Sequence, residues 1–508
     1  MKSLLTTLPA CCTSVFTAQW SNGRVYQIGA SADGLAALAG GVNEMPPQLK
    51  AQSVVWATGS VYQLAYQNGA WAEELFERWL NETGFPETIA EVQAQEVYSD
   101  WWDPIELSTK VGRCYYPSVF WGGWFDVCND GVRAREACVR GRGRVGATKR
   151  GMSPFFVASY GTQTIEAWRF LQSNASGCGG QNTLFVDPHG HCGGMDAGES
   201  YFPLSRLALP LLQSFDLFTR LEADPLYRPG RAPRRGPEDA DTVTFYVMGP
   251  GEEATVGNWW TTLPDFPAPA VVPYYCQPDG TLQRTPTTNT IANFTYTYDP
   301  ADPVPNHGGH NLYGECGQWD QRVNEARADV LSFTTDVLAE HTVVTGRVTA
   351  TLFVSSSAND TDFTAQITDV HPDGRSMLVT QGIQRMRWRL SMTEPAYLTP
   401  GEVYEVIVDL WMTSYIFEAG HRIRLSVSSS NYPRFSANRN NGRLVAFEDT
   451  APAVIARNTL HTTAAYPSRL NLPTVKLDQV PNNYKIRLDR PELAELARFL
   501  DIDVAVEL

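Results

Sequence analysis

Arg24-Val25-Tyr26-Gln27-Ile28-Gly29-Ala30-Ser31-Ala32-Asp33-Gly34-Leu35-Ala36-Ala37-Leu38-Ala39-Gly40 decides the reading of this chain. Its first five residues form a compact apolar run, the signature of a buried parallel strand rather than a half-exposed one. The small-residue run that closes it predicts a helix. Between them a serine stands among close glycines, as in a nucleophile elbow, where a sharp strand-to-helix turn presents a hydroxyl. Glycine permits both the turn and the close approach of helix to strand. The pattern is G-x-S-x-x-G, one residue longer than the usual form. The same residues also fit an ordinary strand–helix loop with a capping serine.

Outward from this stretch the chain alternates. A strand is predicted over Ala51–Ala57, and helical structure over 61–110 with Leu75, Phe76, Trp79 and Leu80 as packing residues. A second strand covers Pro117–Trp121 and runs into Gly122-Gly123-Trp124-Phe125-Asp126. A helix around Thr164–Leu171 follows, with Ile165, Trp168 and Leu171 on one face. A third strand, Thr183–Val186, leads into Asp187-Pro188-His189-Gly190-His191. Strands alternating with helices predict a parallel α/β sheet. From about residue 265 β-branched runs recur between turn signals: Val348–Val354, Thr364–Val370, Val403–Leu410 and Arg422–Ser428, with Asp373-Gly374 and Ala419-Gly420 at turns. These predict an all-β sandwich or jelly roll. Pro225–Glu238 reads as a linker, and the Gly-rich basic stretch Arg133–Arg150 as a solvated loop.

Catalytic groups in an open parallel sheet collect at the carboxyl ends of the strands. Ser31, Asp126 and His191 each follow their own strand, in the chain order of an α/β-hydrolase triad. A serine hydroxyl becomes a useful nucleophile when an imidazole takes its proton, and the imidazole needs a carboxylate to fix its tautomer. Asp130 is a weaker acid candidate because no strand directly precedes it. His189, His191 and Cys192 could form a metal site, but no downstream ligand pair has the matching spacing. His307 and His310 read as structural.

Composition bounds the remainder. The 508 residues can hold several domains, and 14 tryptophans with 21 tyrosines favour sheet packing or aromatic clefts. A net charge of −15 argues against general nucleic-acid binding. No apolar run reaches bilayer length, so no membrane partner is expected. Residues 1–12 only faintly resemble a secretory signal. Nine cysteines without a CxxC framework predict reduced thiols and lean slightly toward the cytoplasm. Sequons beginning at Asn81, Asn174, Asn293 and Asn359 leave secretion open. Oligomeric state is not legible.

The assembled residues resemble the X-Pro dipeptidyl-peptidase/cocaine esterase group of serine hydrolases. Gln19–Val25 with Gly29-Ala30-Ser31, Ser99-Asp100-Trp101-Trp102, Gly123-Trp124-Phe125-Asp126 and Pro188-His189-Gly190-His191 follow its pattern. So do Tyr246–Gly249, Tyr298–Pro305, Gly308-Gly309, Ser355–Phe363, Asp409-Leu410-Trp411, Gly420–Arg424 and Ser428–Phe435. The resemblance implies an α/β-hydrolase domain over 1–60 and 111–262, N-terminally incomplete, a helical cap over 61–110, and a jelly-roll domain over 263–508. It implies a cofactor- and metal-free serine hydrolase of small-molecule esters, amides or short X-Pro peptides. Ser31 would be the nucleophile, His191 the base, Asp126 the acid, and the Ala32 backbone N–H an oxyanion donor. Trp101, Trp102 and Trp124 are candidates for the substrate pocket, with core packing an equal alternative for each. Only about 30 residues precede Ser31, whereas the group has several strands there and a tyrosine hydroxyl for the oxyanion. That departure favours a truncated N-terminus and leaves a rival expectation, a non-catalytic protein whose jelly roll binds a ligand or partner.

Overall fold

The computed structural model describes residues 23–43, 48–106, 117–126, 164–165, 168–169, 182–191, 198–200, 202, 214–219, 243–251, 254–484 and 495. The basic stretch Arg133–Arg150, Asp130, Cys192, Leu171 and the linker Pro225–Glu238 lie outside them.

The first sheet is built from β1 (Val25–Ala30), β2 (Leu49–Val55), β5 (Ser118–Phe125), β6 (Thr183–Gly190), β7 (Val243–Val247) and β8 (Trp259–Leu263), in the spatial order β1-β2-β5-β6-β7-β8. The first five are parallel and β8 is antiparallel. Every residue of β5 and β7 is buried, as expected of strands covered on both faces. β5 and β6 run further than the apolar cores of their sequences predict. Gly122 and Gly123 continue β5, and Asp187–Gly190 continue β6. Helix α1 (Ala32–Asn43) follows β1 and buries Ala37 and Leu38. β1 is the edge strand of this sheet among the described residues, and its Ile28 is 42% exposed.

Between β2 and β5 lies a segment whose two ends meet: Ser60 pairs with Glu106, and the Ser60 hydroxyl donates to Glu106 Oε2 at 2.8 Å. It is not helical throughout. Short α2 (Val61–Ala65) leads into a hairpin of β3 (Tyr66–Gln67) and β4 (Ala70–Trp71), then α3 (Glu73–Glu82) and α4 (Glu87–Gln93). The hairpin turns on Asn68-Gly69, both at positive φ, a favoured pair for a two-residue loop. Tyr62, Tyr66, Trp71, Phe76, Leu80 and Trp102 form an aromatic cluster that also takes in Trp388 and Met392 from far along the chain.

The second half is a sandwich. One sheet has the order β10 (Leu282–Gln283), β9 (Ala270–Cys276), β19 (Arg469–Val475), β13 (Thr342–Ser356), β18 (Ala456–His461), β11 (Asn293–Tyr298), with β16 (Tyr404–Phe417) also paired to β13. The other is β12 (Leu331–Thr334), β17 (Arg422–Ser428), β14 (Asp362–Val370), β15 (Ser376–Arg385). The predicted strands are all present, several of them longer than the β-branched runs that marked them. The sandwich is hydrogen-bonded to the first sheet: Met248 N–H donates to Ser414 O at 3.0 Å, and Ile416 N–H to Met248 O at 2.9 Å. One apolar core runs through both halves.

Charged groups pin the helical insert to the sandwich. Glu96 Oε1 accepts from Arg387 Nε at 2.9 Å, Arg387 Nη2 at 2.6 Å and Trp388 Nε1 at 2.6 Å, and Oε2 accepts from Val445 N–H at 2.6 Å. Arg387 Nη1 also reaches Asp360 Oδ2 at 2.6 Å. All three side chains are buried. Removing Glu96 leaves Arg387 short of one of its carboxylates and strands the Trp388 and Val445 N–H groups, which together costs about 3–5 kcal/mol. Glu96→Ala should therefore lower unfolding free energy by about that amount in a denaturant titration; a loss within error of zero would show that the network holds nothing.

Candidate active site

Three strand ends place three polar side chains on one rim. Ser31 follows β1 and caps α1, with its carbonyl accepting from Leu35 N–H at 3.0 Å. Its own N–H donates to Val55 O at 2.9 Å, which ties the turn to the end of β2. Ser31 has φ +56°, a left-handed conformation that costs a non-glycine residue on the order of 1–3 kcal/mol. An ordinary capping serine sits in extended backbone with its oxygen on the helix N–H groups. Here the hydroxyl instead donates to His191 Nε2 at 2.8 Å. The flanking glycines explain the shape. A Cβ on Gly29 would lie 2.1 Å from Asp33 O, and one on Gly34 2.7 Å from Val55 O. The second glycine thus packs helix on strand from one position later than in the common motif.

Asp126 follows β5 and His191 follows β6. His191 Nδ1–H donates to Asp126 Oδ1 at 3.1 Å, so hydroxyl, imidazole and carboxylate form one series. Asp126 is 0% exposed and His191 9%, while Ser31 is half-buried and Ala32 exposed. The Ala32 N–H opens α1 and has no intrahelical acceptor. β5 and β6 approach closely where the pairing shifts register, between Gly123 and Phe125. A Cβ on Gly123 would stand 2.2 Å from His189 O. Burial disfavours the His191 imidazolium, but the charge and hydrogen bond of Asp126 outweigh it and raise the pKa above its ordinary value.

The other candidates are placed elsewhere. Trp102 is an interior residue: its indole N–H donates to Gln95 O at 3.0 Å and its ring packs on Tyr62 and Tyr66. Trp101 is half-buried and edge-on against Trp102. Trp124 donates to Tyr246 O at 2.7 Å and packs among Phe245 and Phe266 in the core. Trp102 and Trp124 are thus core residues, the alternative left open for them by the sequence, each with its indole N–H satisfied internally. His189 turns to Asp187 rather than joining His191. His307 pairs with Glu315, and His310 is buried between Phe125 and Trp411. The reduced-thiol expectation is also corrected at one position. Cys316 is disulfide-bonded, while Cys276 is free and buried.

Sequence reasoning missed Trp56. It follows β2 at φ +47°, and its ring centroid lies 5.7 Å from that of His191 and 5.3 Å from that of Trp121. Its signal was available: an aromatic at the carboxyl end of the strand beside the elbow.

Residues 236–471 match the X-Pro dipeptidyl-peptidase C-terminal non-catalytic domain. Over 394 residues the chain is 34% identical to the cocaine esterase of Rhodococcus sp. (strain MB1 Bresler), covering 74% of this chain and 59% of that protein. The chain is thus similar to the X-Pro dipeptidyl-peptidase/cocaine esterase group. It spans about three-fifths of the length of that esterase. Among solved structures, an aminopeptidase from the marine sediment archaeon Thaumarchaeota archaeon superposes with a TM-score of 0.70 at 22% identity, covering 93% of this chain and 79% of that one. An α-amino acid ester hydrolase superposes with a TM-score of 0.63 at 19% identity, covering 90% and 77%. The fold is accordingly an α/β-hydrolase domain followed by a C-terminal β domain.

The electrostatics of His191 give a measurable consequence. Its imidazole, followed by NMR, should titrate above the ordinary value of about 6.5. Asp126→Asn removes the raising influence and leaves burial, so the midpoint should fall below that of the unaltered protein. An unchanged midpoint would contradict the Asp126–His191 contact.

Proposed function

We propose that this chain is a serine-type hydrolase that cleaves small-molecule esters through an acyl-enzyme. The observation that carries the reading is the series Ser31 Oγ–His191 Nε2 at 2.8 Å and His191 Nδ1–Asp126 Oδ1 at 3.1 Å. The kinship with an esterase supports the ester over the amide.

In this mechanism Ser31 Oγ attacks the ester carbonyl carbon while its proton passes to His191 Nε2. Asp126 holds Nδ1–H, fixing the tautomer and stabilising the imidazolium. The carbonyl oxygen becomes an oxyanion that accepts from the Ala32 N–H. His191 then protonates the departing alkoxide as the C–O bond breaks, leaving Ser31 acylated. Water, deprotonated by His191, attacks the acyl carbon and releases acid and free enzyme. Activated esters, whose leaving groups need less help, are expected to turn over first. Trp56, its ring tilted against His191, supplies an apolar wall for the acyl or alcohol group.

Hydrolysis of p-nitrophenyl acetate and butyrate tests the reading. The unaltered chain should turn over both. Ser31→Ala should lose up to about 10⁶-fold in kcat, limited by the assay background, and Asp126→Asn about 10⁴-fold, with unchanged circular dichroism. Equal rates for the unaltered chain and Ser31→Ala would reject it and favour a non-catalytic binding role.

A second outcome concerns Trp56. Trp56→Ala should raise KM for the butyrate more than for the acetate, because the lost wall is apolar. Identical KM changes for the two esters would place Trp56 away from the substrate.

A further inference from the structure

Two histidines and an aspartate converge at one end of the sandwich, and no step of the proposed hydrolysis uses them. Asp369 lies near the end of β14, and His371 follows two residues later on the same side of the strand. β14 and β17 pair antiparallel with Val370 opposite Arg422. Continuing that register sets His371 directly across from His421. The two imidazole centroids are 4.5 Å apart. All three side chains are buried, and their ligating atoms lie within 4.8 Å of one another.

We propose that Asp369, His371 and His421 form a binding site for a divalent transition-metal ion of the zinc type. Two imidazole nitrogens and one carboxylate oxygen are a ligand set suited to such an ion, with a fourth position left for water. Hydrogen bonding alone accounts for only part of the cluster. His421 Nδ1–H donates to Asp369 Oδ1 at 2.9 Å. His371 is 8% exposed, and its buried Nε2 has no hydrogen-bond partner among the described residues. That nitrogen faces Asp369 Oδ2 at 3.8 Å, too far for a hydrogen bond but near the separation of two atoms sharing one cation. A nitrogen buried without a partner is costly, and a bound ion would satisfy it.

The surroundings are those of a prepared site. Tyr415 O–H, from the opposite sheet, donates to Asp369 Oδ2 at 2.9 Å, the kind of outer contact that orients a ligating carboxylate. Both histidines sit on closed turns. His371 N–H donates to Arg375 O and Gly374 N–H to His371 O, while His421 N–H donates to Glu418 O and its carbonyl accepts from Leu338 N–H. The ion would clamp the β14–β15 turn to the turn before β17 and, through Tyr415, to the second sheet. Its role is structural.

The test uses the full chain, stripped with a chelator and titrated with Zn²⁺ against a chromophoric competitor. One zinc per chain is expected, together with a rise in thermal midpoint that grows with free zinc. His371→Gln leaves the Asp369–His421 bond in place and should weaken binding at least about 100-fold; Tyr415→Phe should weaken it about 10- to 100-fold. His307→Gln, at a half-buried histidine elsewhere, should bind as the unaltered chain does. X-ray absorption at the zinc edge of the unaltered chain, which needs no variant to fold, should report imidazole ligands. No zinc uptake, undiminished binding by a folded His371→Gln, or a zinc edge without imidazole would each overturn the proposal.

Discussion

The parallel register of β1, β2, β5 and β6 is the constraint on which the site depends. Three side chains separated by 95 and 65 positions in the sequence can meet only if their strands end on one rim. Each strand end is held by backbone that tolerates no added bulk. Gly29 and Gly34 let α1 fold back over β1, and Gly123 lets β5 approach β6. The Ser31–Val55 hydrogen bond fastens the elbow to the neighbouring strand. The strain at Ser31, with its positive φ, is sustained because these contacts over-determine the turn.

That rim does not stand by itself. The first sheet ends at β7 and β8, and the Met248 hydrogen bonds join it to β16. Trp124, in β5 two residues before Asp126, is anchored to Tyr246, so the acid is positioned from the core side. On the other flank, Leu35 touches both the main core and the aromatic cluster of the 61–106 segment. That cluster closes on Trp388 and Met392, with Glu96 tied to Arg387. The C-terminal sandwich thus holds the segment that follows β2, and through it the helix that begins at the nucleophile. This linkage gives the C-terminal β domain a physical part in the architecture of the site.

Much of this was legible in the sequence, and the reasons are specific. Compact apolar runs marked β5 and β6, and glycine-flanked Ser31 marked the elbow, because buried parallel strands and sharp turns each demand particular residues; β1, expected to be buried, is instead an edge strand among the described residues, with only Gly29 buried. Polar residues directly after those strands marked Asp126 and His191. The interruption of the helical segment was missed although Asn68-Gly69 signals a hairpin, because the flanking strands are only two residues each. Tryptophans could not be sorted by composition. Trp102 and Trp124 satisfy their N–H groups in the interior, whereas Trp56 lies against His191, and only tertiary contacts distinguish them. The Cys316 disulfide was illegible for the same reason: pairing depends on distance in space, not on spacing in the chain.

The most direct measurement of the central claim is covalent trapping. The full chain treated with a fluorophosphonate and digested should give a single phosphonylated peptide with the adduct on Ser31. The adduct should vanish on removal of the imidazole in His191→Ala, since the hydroxyl then loses its base. An adduct on another residue, or labelling of Ser31 that survives the loss of His191 undiminished, would contradict the account.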